Sequence, residues 1–287
     1  MPFTVCTDLD PQVCYSDDFN RANNLNLGAN WEQFLDPFGS TNQFSIVGNQ
    51  LRTYNDNTAV PECRGGWWTA FPLLATHQSS RLIFKSNAQV TPPTGPLPGQ
   101  ITINGGGPCV RMNEVSAARI WDNGIICYQL RYQEQRSRIS PFPLLQAELW
   151  LDWQGAAGLV NLDVEIIPQL SAGDEVKVTA MNYTDPLAGA SVCLKGYVND
   201  VLILSKVITS LQATYIETGR AGIGCSVEGG YPWYAIDWDD WQGCTMDIVE
   251  VVPVDECNCA SILEVERDCA MTARGERDCS FTQRAEC

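Results

Sequence analysis

The chain has 287 residues, 45% of them hydrophobic, and its 34 Asp and Glu outnumber its 18 Lys and Arg to give a formal net charge of −16. That is enough apolar material for a sizeable core, and all-β domains of more than 200 residues are common. The acidity argues against a phosphate-binding surface, which needs Lys and Arg to neutralise the nucleic-acid backbone, and no run of 18 apolar residues suggests a membrane-spanning helix.

The opening Met1-Pro2-Phe3-Thr4-Val5-Cys6-Thr7-Asp8 lacks the basic and apolar regions of a secretory signal. With the initial Met, this leads us to expect synthesis in the cytoplasm. Residues 1–14 read as an extended arm. From Asp17 to Trp31 the Asn, Gly and Asp content marks turns rather than a helix. Residues 43–53 predict two short strands around a Gly48-Asn49 turn. Short strands follow at Arg81–Phe84 and Cys109–Met112, and a longer one at Ile125–Tyr132. The Pro- and Gly-rich stretch Thr91–Gly107 between them predicts a long surface loop. Ala147–Trp153 and Glu175–Ala180 alternate polar and apolar residues, the pattern of half-buried strands. Val192–Leu204 predicts a hairpin turning at Asn199-Asp200, and Gly219–Cys225 and Tyr234–Trp241 close the series. Many short strands separated by turns, with no amphipathic helix, indicate a sandwich or jelly roll.

Of thirteen cysteines, the first eight (Cys6, Cys14, Cys63, Cys109, Cys127, Cys193, Cys225, Cys244) are scattered, several within apolar runs, and read as buried free thiols. Cys257-Asn258-Cys259 lacks zinc-knuckle spacing and only one His exists, so no metal site is expected. That residue, His77, has no nucleophile motif nearby and reads as structural. Asp163 and Glu165 share a strand face and are the carboxylates a hydrolase could use. Asp237, Asp239 and Asp240 could offer oxygen ligands to calcium, but read more simply as solvated acids at a strand end. Gly105-Gly106-Gly107-Pro108 lacks the Lys-Ser/Thr of a phosphate loop. Nine tryptophans include Trp67-Trp68, Trp150/Trp153 and Trp233/Trp238/Trp241. In a strand, one of the adjacent Trp67 and Trp68 must face outward, so this pair is the first candidate for ligand stacking.

The segment Asp18-Phe19-Asn20-Arg21-Ala22 with Asn30-Trp31 resembles the start of concanavalin-like and laminin-G-like sandwich domains of phage and bacterial surface proteins. Gly173-Asp174-Glu175-Val176 and the Val198–Val201 hairpin resemble the late strands of that family. Gly219–Gly224 and Ala235–Trp241 resemble its closing pair. The resemblance spans residues 15–246 and implies a concanavalin-like jelly-roll β-sandwich. Such domains serve as lectin-like modules, glycosidase scaffolds or inert structural units, so fold alone does not decide function. The Glu-x-Asp-x-x-Glu strand of concanavalin-like glycosidases is completed neither at Asp163-Val164-Glu165 nor at Asp237–Asp240.

Residues 247–287 form a linker and a second arm. Glu266-Arg267-Asp268-Cys269 recurs ten residues later as Glu276-Arg277-Asp278-Cys279. An even period returns each side chain to one face of a strand, whereas a helix would drift about 80° per repeat. Odd positions from 264 onward collect Val265, Cys269, Met271, Cys279 and Phe281, together with Arg267 and Arg277; even positions are almost wholly polar. This implies a β-rich C-terminal arm whose apolar edge, through these seven residues, forms an interface. Arg-rich extended repeats of this kind resemble tails of phage virion proteins.

The expectation is therefore a virion structural protein, made in the host cytoplasm and displayed on the virion surface, most simply a capsid decoration (cement) subunit. Its partners would be the major capsid protein or other virion proteins, and further copies of itself, as a trimer by resemblance. No nucleic acid, membrane, cofactor, metal or catalytic residue is implied. Two alternatives stand: a carbohydrate-binding receptor-recognition module of a tail or fibre, binding a surface glycan through Trp67 and Trp68, and a glycoside hydrolase.

Overall fold

The computed structural model describes residues 11–24, 27–34, 44–52, 62–89, 101–114, 125–137, 144–155, 158–228 and 234–246. Residues 1–10 of the expected N-terminal arm and the whole of 247–287, with Val265, Arg267, Cys269, Met271, Arg277, Cys279 and Phe281, lie outside them.

The described residues contain no helix. Their strands, in chain order, are β1 (Pro11–Asp17), β2 (Trp31–Phe34), β3 (Ser45–Ile46), β4 (Leu51–Arg52), β5 (Glu62–Trp68), β6 (His77–Gln89), β7 (Ile101–Glu114) and β8 (Ile125–Ser137). Then come β9 (Leu144–Gly155), β10 (Gly158–Ile166), β11 (Glu175–Asp185), β12 (Gly189–Val198), β13 (Val201–Thr209), β14 (Arg220–Glu228) and β15 (Tyr234–Met246). One antiparallel sheet runs β13-β12-β11-β6-β15-β4-β3, with β1 also paired to β15. The other runs β10-β9-β8-β7-β14-β5-β2. Along the side of β15 away from β6, β4 pairs with Asp237–Trp238 and β1 with Trp241–Met246.

Strand alternation builds the core. Tyr128, Leu130 and Tyr132 of β8 and Leu149, Leu151 and Trp153 of β9 face inward, where they meet Val176, Val178 and Ala180 of β11, Leu82 and Phe84 of β6 and Trp238 of β15. Each large apolar side chain buried in this way contributes roughly 1.5–3 kcal/mol. The two expected hairpins form through left-handed turn pairs, Gly48 (φ 62°) with Asn49 (φ 63°) and Asn199 (φ 50°) with Asp200 (φ 60°). Such pairs match the right-handed twist of their strands.

Three expectations need correction. Residues 11–14 are not arm but part of β1, zipped onto β15. Residues 101–107 are not loop but the start of β7, which lies between β8 and β14. Glycine is required there because the sheet closes on it: a Cβ at Gly107 would lie 2.0 Å from the Leu130 carbonyl oxygen. Cysteine usage is mixed. Cys109, Cys127 and Cys225 are buried thiols, but Cys14 and Cys244 form a disulfide and Cys193 is also disulfide-bonded. Antiparallel pairing puts Cys14 directly opposite Cys244, with Cα atoms 4.1 Å apart, near the spacing of a non-hydrogen-bonded strand pair.

Candidate functional site

The residues of β8 that alternate with its core row point to the outer face of the seven-stranded sheet. Gln129, Arg131 and Gln133 lie there beside Glu148, Trp150 and Asp152 of β9. Arg131 Nε donates to Asp152 Oδ2 at 2.7 Å, and both side chains are shielded from solvent. Arg131 Nη1 donates to Gln133 Oε1 at 2.6 Å, and its guanidinium sits 5.1 Å from the Trp150 ring. Glu148 accepts from Trp150 Nε1 at 2.9 Å, from Gln133 and Gln135 at 3.3 Å, and from Gln146. Glycines form the floor: a Cβ at Gly105 would meet the Arg131 stem at 2.9 Å, and one at Gly224 would meet Cys109 Sγ at 2.8 Å and Gln129 Nε2 at 2.9 Å. The long polar side chains lie down over this floor, a close approach that glycine alone permits.

Glu148 and Asp152 share one strand face, four residues apart, and form a carboxylate pair that reading by motif missed. The signal was present in the alternation of Glu148-Leu149-Trp150-Leu151-Asp152. Both are buried, one among N–H donors and the other against a guanidinium. A hydrolase presents its two carboxyls to the substrate, and these are not so presented.

Trp67 and Trp68 point to opposite faces, as adjacent strand residues must. Trp67 takes the outer face but is only 2% exposed. Its Nε1 donates to Glu32 Oε2 at 2.9 Å, and the Arg220 guanidinium lies 5.0 Å from its ring. It packs with Cys109, Met112 and Cys127 and so offers no free stacking surface. Trp68 is half-buried, stacked on Trp241 at 5.6 Å and edge-on to Trp31 at 5.5 Å. With Ser16, Asp17, Asp18, Arg21 and Asn30 it lines an open depression of about 330 Å³.

That depression is built by the segment that resembles the start of a sandwich domain. Asp17 Oδ1 accepts from Arg21 Nη1 at 2.7 Å and from the Phe19 N–H at 2.8 Å. Its Oδ2 accepts from Arg21 Nη2 at 2.8 Å and from Trp31 Nε1 at 2.7 Å. Arg21 Nη2 also donates to the Leu27 carbonyl at 2.6 Å. Phe19, in the left-handed region (φ 50°), stacks on Trp31. Burial works to raise the Asp17 carboxyl, but hydrogen bonds from Arg21, Trp31 and Phe19 outweigh it and hold the group below its ordinary value.

The remaining candidates are structural or peripheral. His77 is buried, its Nδ1 2.9 Å from Thr76 Oγ1 and its Nε2 3.0 Å from the Asn182 carbonyl. Asp163 and Glu165 lie on β10, the last strand of its sheet, away from the outer polar row. Asp163 Oδ1 accepts the Val164 N–H. The reading of Asp237 as a solvated acid is wrong: it is 3% exposed and clamped by Arg52 at 2.8 and 2.9 Å, while Asp239 pairs with Lys85 at 3.0 Å. Arg52 thus takes both oxygens of Asp237, and Lys85 takes one of Asp239. Trp153, Trp238 and Trp241 are core residues; Trp233 lies outside the described residues. Among the described residues, no group of three or more His, Cys, Asp or Glu is placed to hold a metal ion.

This strand order, with a seven-stranded sheet facing an eight-stranded one, makes the protein a concanavalin-like jelly-roll β-sandwich. No protein-family model and no curated protein matches the sequence. Among solved structures the chain is similar to the CBM2 module of the evolved Dit of Lactobacillus casei BL23 phage J-1, at 11% identity and a TM-score of 0.45 over 82% of this chain and 95% of that one. It is similar to a legume lectin-like domain from Entamoeba histolytica, at 8% identity and 0.37 over 76% and 91%. It is also similar to a laminarinase from Flavobacterium sp. UMI-01, at 10% identity and 0.42 over 83% and 100%.

Proposed function

We propose that the protein is a structural subunit of a virion surface, a decoration or cement protein that joins its neighbours rather than transforming a ligand. One observation carries the reading. The strands β10 and β13 end their respective sheets, run beside each other, and expose Val160, Val164 and Ile166 on one and Val201, Leu202 and Val207 on the other. Ile166 is 67% exposed and Val201 60%. Long sheet edges with apolar side chains in water invite pairing with another chain, and proteins ordinarily blunt or cover them. A virion protein or another copy of the chain would cover these. The net charge of −16 keeps free subunits apart until they dock. The alternation through Val265, Cys269, Met271 and Phe281 offers a second contact of the same chemistry.

The test is co-sedimentation with particles. Wild type should bind. Val164→Lys with Ile166→Lys, and separately removal of 257–287, should each weaken association about tenfold or more while leaving the sandwich folded. If both variants bind as wild type does, the assembly role is wrong.

A second reading, recognition of carbohydrate by a tail or fibre module, has one observation in its favour: Trp68 stands beside Asp18, Arg21 and Asn30 at an open depression. A glycan array with the wild-type chain tests it.

A further inference from the structure

We infer that Cys193 is joined to Cys6, and that this disulfide straps residues 6–10 across the outer face of the eight-stranded sheet as a cover that reduction opens.

Cys193 of β12 is disulfide-bonded. Its neighbours Val192 and Leu194 belong to the core, so Cys193 points to the outer face, away from the other sheet. That narrows the choice of partner. Cys14 and Cys244 are bonded to each other, Cys109, Cys127 and Cys225 are thiols, and Cys63 lies on β5 of the other sheet. Cys6 and the cysteines from Cys257 onward remain. Cys6 belongs with Cys193 to one compact unit, Met1–Asp247, whereas Ile248–Cys287 make a second.

The face itself needs a cover. Cys193 stands opposite Met181 of β11, and Met181 opposite His77 of β6. On β15, Thr245 pairs with Gln78, and the next residue, Met246, pairs with Pro11 of β1. Cys193, Met181, His77, Met246 and Pro11 thus form one row across β12, β11, β6, β15 and β1. The outer face of an antiparallel sheet is ordinarily wet. Here the side chains from Cys193 to Met246 are all buried, the most open being Met246 at 7%. Met181, Cys193 and Met246 form a small apolar cluster of their own, with Tyr183 packed against it. Every described strand belongs to one of the two sheets, so none of them lies over this row.

The span fits Cys6. Strands lie about 4.8 Å apart, which sets Cys193 and Pro11 about 19 Å from each other across four spacings. The chain from Cys6 to Pro11 reaches about 17 Å when extended, and a disulfide bridges about 5.5 Å more between Cα atoms. Only a nearly straight segment closes that distance, and it runs over Met246, His77 and Met181 on the way. One bond therefore accounts for both the bonded sulfur and the dry row.

A dithiol opens the strap. Its thiolate attacks one sulfur and displaces the other, and its second thiol then resolves the mixed disulfide. Two electrons and two protons pass from the dithiol to Cys6 and Cys193, and the dithiol leaves as a cyclic disulfide. The strap is closed in oxidising surroundings and open in reducing ones. Opening bares an apolar row that carries two methionines, beside the chain's first residues.

The experiment blocks thiols in the full chain and digests it, without reductant, with an endoproteinase that cuts before Asp. Mass spectrometry should find peptide 1–7 joined to peptide 185–199. Peptide 185–199 joined to any other peptide, or carrying a blocked Cys193, overturns the pairing. The cover is read separately with dilute hydrogen peroxide. In Cys6→Ser, and in wild type reduced with dithiothreitol and then alkylated, Met181 and Met246 should turn to sulfoxide about fivefold faster or more. Met112, buried in the other sheet, should keep its rate, and the far-UV circular dichroism should match that of the untreated chain. Unchanged rates at Met181 and Met246 would mean that residues 6–10 do not cover the row. Equal acceleration at Met112 also counts against the strap, because the sandwich itself would then be opening.

Discussion

Arg131 and Asp152 form an ion pair at 2.7 Å on neighbouring strands β8 and β9, and both side chains are withdrawn from water. Removing one partner strands a buried charge, which costs about 3–5 kcal/mol. Asp152→Ala should show that loss as a lowered urea midpoint. Replacing both, as Arg131→Met with Asp152→Leu, should cost markedly less, because no charge is then left alone. Equal losses in the two proteins would mean that packing, not charge, sets the cost.

Cys14 and Cys244 are separated by 230 residues in sequence. On the chain-entropy account, a disulfide closing so long a loop contributes at the top of the usual range, about 5 kcal/mol, by restricting the unfolded chain. The double substitution Cys14→Ser/Cys244→Ser should lower the free energy of unfolding, read from chemical denaturation, by up to that amount without altering the far-UV circular dichroism of the native state. The double variant is the cleaner test, since reducing agent would also reach the Cys193 disulfide.

Asp17 gives a pH signature. Its folded-state value lies below the ordinary 3.8, so the unfolded chain binds the proton more readily. The stabilisation is complete above the unfolded value and is lost as pH falls through the folded one. The stability difference between wild type and Asp17→Asn should therefore be constant near neutrality and shrink below about pH 4. A difference that grew on acidification would reverse the assignment.

Gly107→Ala tests the closeness of β7 and β8. The added methyl would sit 2.0 Å from the Leu130 carbonyl oxygen, which is backbone and cannot swing aside. Overpacking of this kind costs about 1–3 kcal/mol and at times more. We expect a loss of at least that size in chemical denaturation, whereas alanine at Gly173, which has open space around it but φ 98°, should cost less.

What the sequence disclosed depends on range. The hairpin turns at Gly48-Asn49 and Asn199-Asp200 were legible because turn chemistry is local. So was the alternation of Ala147–Trp153 and Glu175–Ala180, which records which side of each strand meets the core. Arg21 and Trp31 were legible as part of a resemblance, but Asp17 and the wiring were not, since spacing alone does not show that one carboxylate serves a guanidinium, an indole and a main-chain N–H. Relationships set by distant pairing were hidden. Arg52 clamps Asp237 across 185 residues, and Cys14 meets Cys244 only because β1 lies on β15. The Gly105-Gly106-Gly107 run was misread because glycine marks loops locally, whereas here it lets backbone and long polar side chains approach closely. The outer polar row was visible residue by residue, but its burial is a tertiary fact.

The pairing of β1 with β15 brings Pro11 opposite Met246. The sandwich therefore begins and ends at neighbouring points, like a loop of rope drawn shut at a knot. A fold with such adjacent termini can be spliced into a surface turn of an unrelated host protein without stretching it. Residues 11–246 form a cassette that could be carried on another scaffold and read there for its contacts, free of its own flanking segments.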